Sequence, residues 1–205
     1  TVGAARQSLL YICEEWPNPY KPTWDAQIRS LMELGFEVSV VHCSRHYSEQ
    51  YDSWRKEGDS LGLIPRWSYP TTLQTLPPRL LNVRFLARIF SRLRFARGIL
   101  KQDKPLKERA LDYARLCSLP HLKFDVVLVK NLNCAADYSW LPLIIQPESA
   151  AVYYHGGAVA GVEPWYLKHR RMIFENYSAF FTNTRFSKQE LESLGCPPRK
   201  THAIP

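Results

Sequence analysis

The sequence predicts an α/β fold: a Rossmann-like, doubly wound parallel sheet with an inserted basic helical segment. Three observations predict it. Short apolar runs of strand length recur along the 205 residues, and most are followed by a stretch with helical periodicity. Glycines stand where two of those helices should stop, at Gly35 and Gly195. One long stretch in the middle breaks the alternation and is basic throughout.

Ser8-Leu-Leu-Tyr-Ile-Cys13 reads as a buried strand, and a loop with three prolines follows, Trp16-Pro-Asn-Pro-Tyr-Lys-Pro22. Thr23 is placed to cap a helix running through Leu34, with Ile28, Leu31, Met32 and Trp24 on one face. Gly35 takes the position after its end, and Phe36 to His42 forms the next strand. Residues 44–78 read as irregular, rich in Tyr, Trp and Pro. From Pro78 to about Leu100 the pattern is helical. Leu81, Phe85, Leu86, Ile89, Leu93 and Leu100 share one face, and Arg84, Arg88 and Arg92 another.

A second helix of the insertion is expected from Pro105 to Cys117, so that the insertion covers about 78–118. The parallel pattern then resumes. Strands are expected at Phe124–Lys130, Ala150–Tyr154, Ala179–Thr182 and Thr201–Ile204. Helices are expected at Cys134–Leu143, Pro164–Asn176 and Ser187–Leu194.

A hydrophobic content of 45% suits a globular core and excludes global disorder. No apolar run reaches the 18 or so residues of a membrane-spanning helix, and no signal-type stretch precedes the first strand. Thr1 replaces an initiator Met, as at a processed or trimmed end. The five cysteines, Cys13, Cys43, Cys117, Cys134 and Cys196, are odd in number and lack metal-ligand spacing. They read as reduced thiols of a cytoplasmic protein.

The net charge of +8 comes from one place. Between Ser60 and Gln102 there is no Asp or Glu, and eight cations: Arg66, Arg79, Arg84, Arg88, Arg92, Arg94, Arg97 and Lys101. The other 19 cations balance 19 anions, so the segment implies a local anionic partner. Two readings stand. Arg79, Arg84, Arg88, Arg92 and Arg97 can lie against an anionic membrane, peripheral to its inner face. Alternatively, the Leu/Phe face packs on the domain and the Arg face is solvated. Nothing accompanies the charge that would mark nucleic-acid binding.

Three stretches resemble the N-terminal domain of retaining GT-B glycosyltransferases of family 4, also called group 1. The first is Trp16-Pro-Asn-Pro-Tyr-Lys-Pro-Thr-Trp-Asp-Ala-Gln-Ile28 with Leu34-Gly-Phe-Glu-Val38. The second is Phe124-Asp-Val-Val-Leu-Val129 with His155-Gly156. The third is Asn183-Thr-Arg-Phe-Ser-Lys-Gln-Glu-Leu191, Leu194-Gly-Cys-Pro-Pro198 and Ile204-Pro205. In the family the last pair opens the junction to a second domain. Two departures stand out: the Gly-Gly loop of many members is absent, and Lys21-Pro22 occupies the place of a common Ser-Glu.

The resemblance implies that 1–205 is a single acceptor-side domain of a hexosyltransferase. The donor-binding C-terminal domain, with its paired glutamates, would be missing. The enzyme would move a sugar from a nucleotide-sugar donor to a glycan or lipid-linked acceptor, in bacterial surface polysaccharide synthesis. No cofactor is implied, and no Asp-x-Asp points to a metal. The fragment alone would not turn over.

In such a protein the site lies at the C-terminal ends of the strands, where loops and helix N-termini offer N–H groups to anions. Residues 14–22, 131–133 and 155–163 should face it. His155, followed by Gly156-Gly157, is the candidate catalytic residue. By resemblance it would hydrogen-bond the donor sugar or the acceptor; the plain alternative is a strand-end His that caps backbone groups. Thr23, Trp24, Asn131, Gly156, Gly157, Asn183 and Arg185 are candidate substrate contacts. A helix start accounts for Thr23 and Trp24 more readily, while an ordinary turn for Asn131 and a solvated surface for Arg185 serve equally well. Trp16, Trp165 and Tyr166 could stack on sugar rings or simply pack.

His155-Gly156-Gly157 also resembles the oxyanion loop of α/β-hydrolase esterases, although the required Gly-x-Ser-x-Gly elbow does not occur in the 205 residues. A third possibility is a non-catalytic module that binds membrane or glycan.

Overall fold

The computed structural model describes residues 6–18, 22–43, 48–102, 104–155 and 165–204. The chain begins β1 (Ser8–Cys13), α1 (Pro22–Glu33), β2 (Glu37–His42), α2 (Ser48–Lys56) and β3 (Arg66–Ser68). The inserted segment follows as α3 (Pro77–Leu80), α4 (Val83–Ser91), α5 (Leu93–Leu100) and α6 (Leu106–Ser118). The second half is β4 (Val126–Val129), α7 (Leu132–Asp137), α8 (Leu141–Ile145), β5 (Ser149–Tyr154), α9 (Trp165–Asn176), β6 (Ala179–Thr182), α10 (Arg185–Ser193) and β7 (Thr201–Ala203).

The strands form one parallel sheet in the order β3-β2-β1-β4-β5-β6-β7. This is the doubly wound, Rossmann-like arrangement that the alternating pattern predicts. The winding reverses between β1 and β4, which lie side by side with Leu9 opposite Val126 and Ile12 opposite Val129.

Alternate residues of the strands feed two cores, because side chains change face at every step. On one face Leu9, Tyr11, Cys13, Val38 and Val40 pack with Trp16, Trp24 and Ile28. On the other Leu10, Ile12, Val127, Val129, Val152 and Phe180 pack with Leu116, Tyr138, Trp140, Ile173 and Tyr177. Gly35 and Gly195 end α1 and α10 with φ of 95° and 98°, a region that only glycine enters without strain. Phe36 N then donates to Leu31 O and Cys196 N to Leu191 O, both at 3.1 Å, closing the last turns as the sequence predicts.

Four expectations need correction. Residues 44–78 are not wholly irregular: they contain α2 and the edge strand β3. Thr23 is the second residue of α1 and not its cap. The helix expected over Cys134–Leu143 is two helices, with Tyr138 and Trp140 fully buried at the break.

The fourth is the long helix expected from Pro78 to Leu100, which is three. Asn82 turns its side chain back to accept from Arg84 N (2.9 Å) and Phe85 N (3.3 Å), which starts α4 afresh. At Arg92 the chain breaks again. The guanidinium turns inward to donate to Leu116 O, and to Pro120 O at 3.3 Å, at the C-terminal end of α6. The apolar stripe is split accordingly. Phe85 and Ile99 are buried, while Leu81 is 86% exposed and Leu93 55%.

A buried ionic group fixes α6 to the rest. Asp112 takes Lys104 Nζ at 2.7 Å and Arg115 Nη1 at 3.0 Å, and Arg115 also reaches Asp137 at 2.8 Å. The five cysteines are thiols without disulfide partners. Among the described residues no helix is long and apolar enough to cross a membrane. Nor is any group of three His, Cys, Asp or Glu side chains among them placed to hold a metal ion.

Candidate functional site

Where the winding reverses, the rule for open parallel sheets expects a crevice, and the ends of β1, β4 and β5 and the face of α1 meet there. Val-Val-Leu-Val is a run of strand formers, and Lys130 follows it directly. The backbone N of Lys130 donates to Ile12 O at 2.8 Å, so the residue still lies within the sheet and is only 3% exposed. A charge at that depth needs polar or aromatic company. Its Nζ donates to Gln27 Oε1 at 2.8 Å, 4.6 Å from the Tyr153 ring centre and 5.6 Å from that of Trp24. Gln27 Oε1 also accepts from Tyr11 OH at 2.9 Å, which ties α1 to β1 and β4 at one atom.

Tyr153 and His155 lie two residues apart and therefore on one side of β5. Their rings meet edge to face at 4.5 Å. His155 is exposed at the top of the strand, and its carbonyl accepts from Ser187 Oγ at 3.4 Å. Ser187 is in the first turn of α10, whose cap is Thr184: Thr184 Oγ1 accepts from Ser187 N at 3.0 Å. The start of α10, with exposed Asn183 and Arg185, is thereby brought beside His155. This edge of the sheet combines an exposed imidazole, a helix N-terminus and a buried ammonium, a set suited to orienting a polar, partly anionic substrate.

Asp25, in the first turn of α1, accepts from Trp16 Nε1 at 3.1 Å. Burial raises its carboxyl to about 6, against the lowering effects of Trp16 and Arg29.

Solved structures share this architecture. HepE of Anabaena in complex with UDP and glucose matches with a TM-score of 0.55 at 10% identity, over 97% of this chain and 44% of HepE. HepE in complex with UDP-glucose matches with a TM-score of 0.56 at 8% identity, over 97% and 43%. A Listeria monocytogenes structure described as a UDP-N-acetylglucosamine 2-epimerase matches at 0.50 and 15% identity, over 96% and 44%. The chain spans less than half the length of these structures, and at such identities the likeness shows a common fold. No protein-family signature matches the sequence. No curated protein sequence matches it either.

The remaining candidates divide. Asn131 caps α7, its Oδ1 accepting from Cys134 N at 2.8 Å, and this explains an Asn at that place. Trp16 is fully buried against Tyr51 and Trp54, and Trp24 is 5% exposed, so neither offers an open ring face to a sugar. Their positions in the core of the α1 face account for both. Tyr166 is likewise buried, and Thr23 is exposed on α1. Trp165 begins α9. Gly156 and Gly157, and with them most of the expected loop 155–163, lie outside the described residues.

The arginines of the insertion divide as well. Arg92 is 6% exposed and holds α6, and burial lowers it to about 10, so it is not a membrane contact. Arg79 is half-buried, with Nη1 donating to Ser68 O at 2.8 Å. Arg88 is half-buried, and Arg84 and Arg97 are exposed.

Sequence pattern alone does not single out Lys130, Gln27, Tyr153 or Asp25. The available signal was a Lys placed directly after four apolar strand residues, where a surface turn would be commoner.

Proposed function

We propose that this chain is the acceptor-side half of a two-domain enzyme that transfers a sugar, with retention, from a nucleotide-sugar donor to a glycan or lipid-linked acceptor. The observation that carries the reading is the match to HepE bound to UDP-glucose: 97% of this chain aligns, and it accounts for 43% of HepE. The crevice where the winding reverses supports it. His155 would hydrogen-bond a hydroxyl of the donor sugar or acceptor, the start of α10 would face the departing diphosphate, and Lys130 with Tyr153 would form the floor. A donor-binding partner domain would close the crevice from the other side.

The insertion would hold the enzyme on the cytoplasmic face of an anionic membrane, where surface polysaccharides are assembled. Arg84 and Arg97 are exposed there together with Val83, Phe90, Leu93 and Leu100, a basic and apolar combination that suits anionic lipid. Co-sedimentation with phosphatidylglycerol vesicles checks this. Arg84→Glu with Arg97→Glu should abolish it, and retained binding contradicts the membrane role. The test of the transfer reading is release of nucleoside diphosphate from a panel of nucleotide sugars by the full-length gene product, with the sugar recovered on an acceptor. Failure with every donor overturns it. The esterase reading finds no Gly-x-Ser-x-Gly elbow within these 205 residues.

A further inference from the structure

Away from the crevice, a cavity of about 410 Å³ opens between the edge strand β3 and the start of α4. Its volume falls within the roughly 300–1,000 Å³ typical of small-ligand sites. Four arginines are among the residues that line it, from three elements: Arg66 on β3, Arg79 on α3, and Arg84 and Arg88 on α4. Among the described residues no Asp or Glu lines it. Like charges gathered at one cavity disfavour each other, and an anion among them offsets that cost.

The arginines are also positioned. Arg79 is held as a fork: Nη1 donates to Ser68 O (2.8 Å) and Ser118 Oγ (3.4 Å), and Nη2 to Ser68 Oγ (3.0 Å). Arg66 Cζ stacks 3.7 Å from the centre of the Tyr51 ring. Arg84 and Arg88 are one helical turn apart and so share a face. α4 begins at the cavity wall, so the positive end of its dipole adds to the same field. Guanidinium groups arranged in this way match the oxygens of phosphate, which takes several N–H donors at once. Trp67 and Phe85 supply apolar wall beside the charges.

We propose that this cavity binds the phosphate or diphosphate group of the acceptor substrate. The proposal rests on the transferase reading and names the acceptor's chemical class: a phosphate ester. β3 is four strands from β5, a strand-to-strand spacing of roughly 19 Å at about 4.8 Å per strand, so the cavity and His155 stand at separate places along the sheet. A ligand that fills both places must span that gap, with its charged end under β3 and its accepting hydroxyl at the crevice. Leu81 and Val83, on either side of Asn82 at the cavity, are 86% and 78% exposed, and they stand ready to meet an apolar chain attached to the phosphate.

Titration calorimetry of the full-length gene product with inorganic pyrophosphate tests the site. One-to-one binding is expected. Arg84→Gln and Arg88→Gln should each weaken it at least ten-fold, with thermal melts unchanged. Arg94→Gln, which removes the same charge from exposed α5, should leave it unaltered. Absence of binding overturns the proposal, as does equal weakening by Arg94→Gln. Farnesyl diphosphate and glucose 1-phosphate, titrated in parallel, separate a lipid-linked from a soluble ester by which binds tighter through Arg84 and Arg88. Sugar transfer is scored independently. Transfer without pyrophosphate binding removes this site and leaves the transferase reading. Arg84- and Arg88-dependent binding without transfer from any nucleotide sugar does the reverse.

Discussion

Lys130 Nζ lies 4.6 Å from the centre of the Tyr153 ring, where β4 and β5 reach the edge of the sheet. The same ring meets His155 at 4.5 Å. A buried ammonium and an exposed imidazole therefore share one aromatic partner. The lysine stem crosses the α1 face of the sheet, and its charge is held by the Gln27 amide oxygen. This is a fixed floor under the crevice and not a mobile surface charge.

That arrangement predicts an asymmetry between two substitutions. Lys130→Met keeps the apolar stem and removes the buried charge, so it should change stability by no more than about 1 kcal/mol. Gln27→Leu removes the oxygen that accepts from both Tyr11 and Lys130, and should cost about 2–3 kcal/mol. Urea denaturation of the two variants measures the difference. Equal costs would mean that Gln27 does not hold the ammonium.

The inward turn of Arg92 gives a second prediction. Arg92→Met leaves the carbonyls of Leu116 and Pro120 without its guanidinium, and should cost about 2–3 kcal/mol. Arg97→Gln, on exposed α5, should stay within about 0.5 kcal/mol. If both variants unfold at the wild-type urea midpoint, Arg92 is not the anchor of the insertion.

These residues show where the sequence is readable and where it is not. The strand runs, the Gly35 and Gly195 stops and the parallel order follow from local pattern, because strand and helix periods and positive-φ glycines are properties of a few neighbouring residues. β3 is three residues long, Arg66–Ser68, and half-buried at the sheet edge, too short to carry a period. The breaks at Asn82 and Arg92 depend on partners that periodicity does not see; for Arg92 these lie 24 and 28 residues away. In the candidate site, His155 was legible as a polar residue closing an apolar strand. Gln27 and Lys130 were not, since their pairing spans 103 residues. For Trp16 the sequence leaves stacking and packing open, because an aromatic in a proline-rich stretch has the same signature whether it faces solvent or core.

Acid should act on this fold through two groups of opposite sign. Burial, with Lys104, Lys168 and Arg115 near it, lowers His169 from its ordinary 6.5 to about 4, against the upward pull of Glu108. The fold holds the neutral imidazole, so this contribution to stability is complete above pH 6.5 and is lost as the pH falls toward 4. Asp25, raised from 3.8 to about 6, contributes below 3.8 and loses that contribution as the pH rises through 6. His169→Gln removes the first effect alone. The stability gap between wild type and variant should therefore narrow between pH 7 and pH 4. Thermal melts across that range that keep a constant gap would contradict the buried neutral His169.

The central claim, sugar transfer at the crevice beside His155, is tested most directly by one comparison. Nucleoside diphosphate release and sugar incorporation are measured for the full-length gene product and for His155→Ala, across UDP-, GDP- and ADP-linked sugars. His155 is exposed, so the variant should melt with the wild type. At least one donor should give transfer by the wild type, with the rate of His155→Ala lower by about 100-fold or more. A wild type that transfers no sugar from any donor, or a His155→Ala variant that transfers at the wild-type rate, would contradict the account.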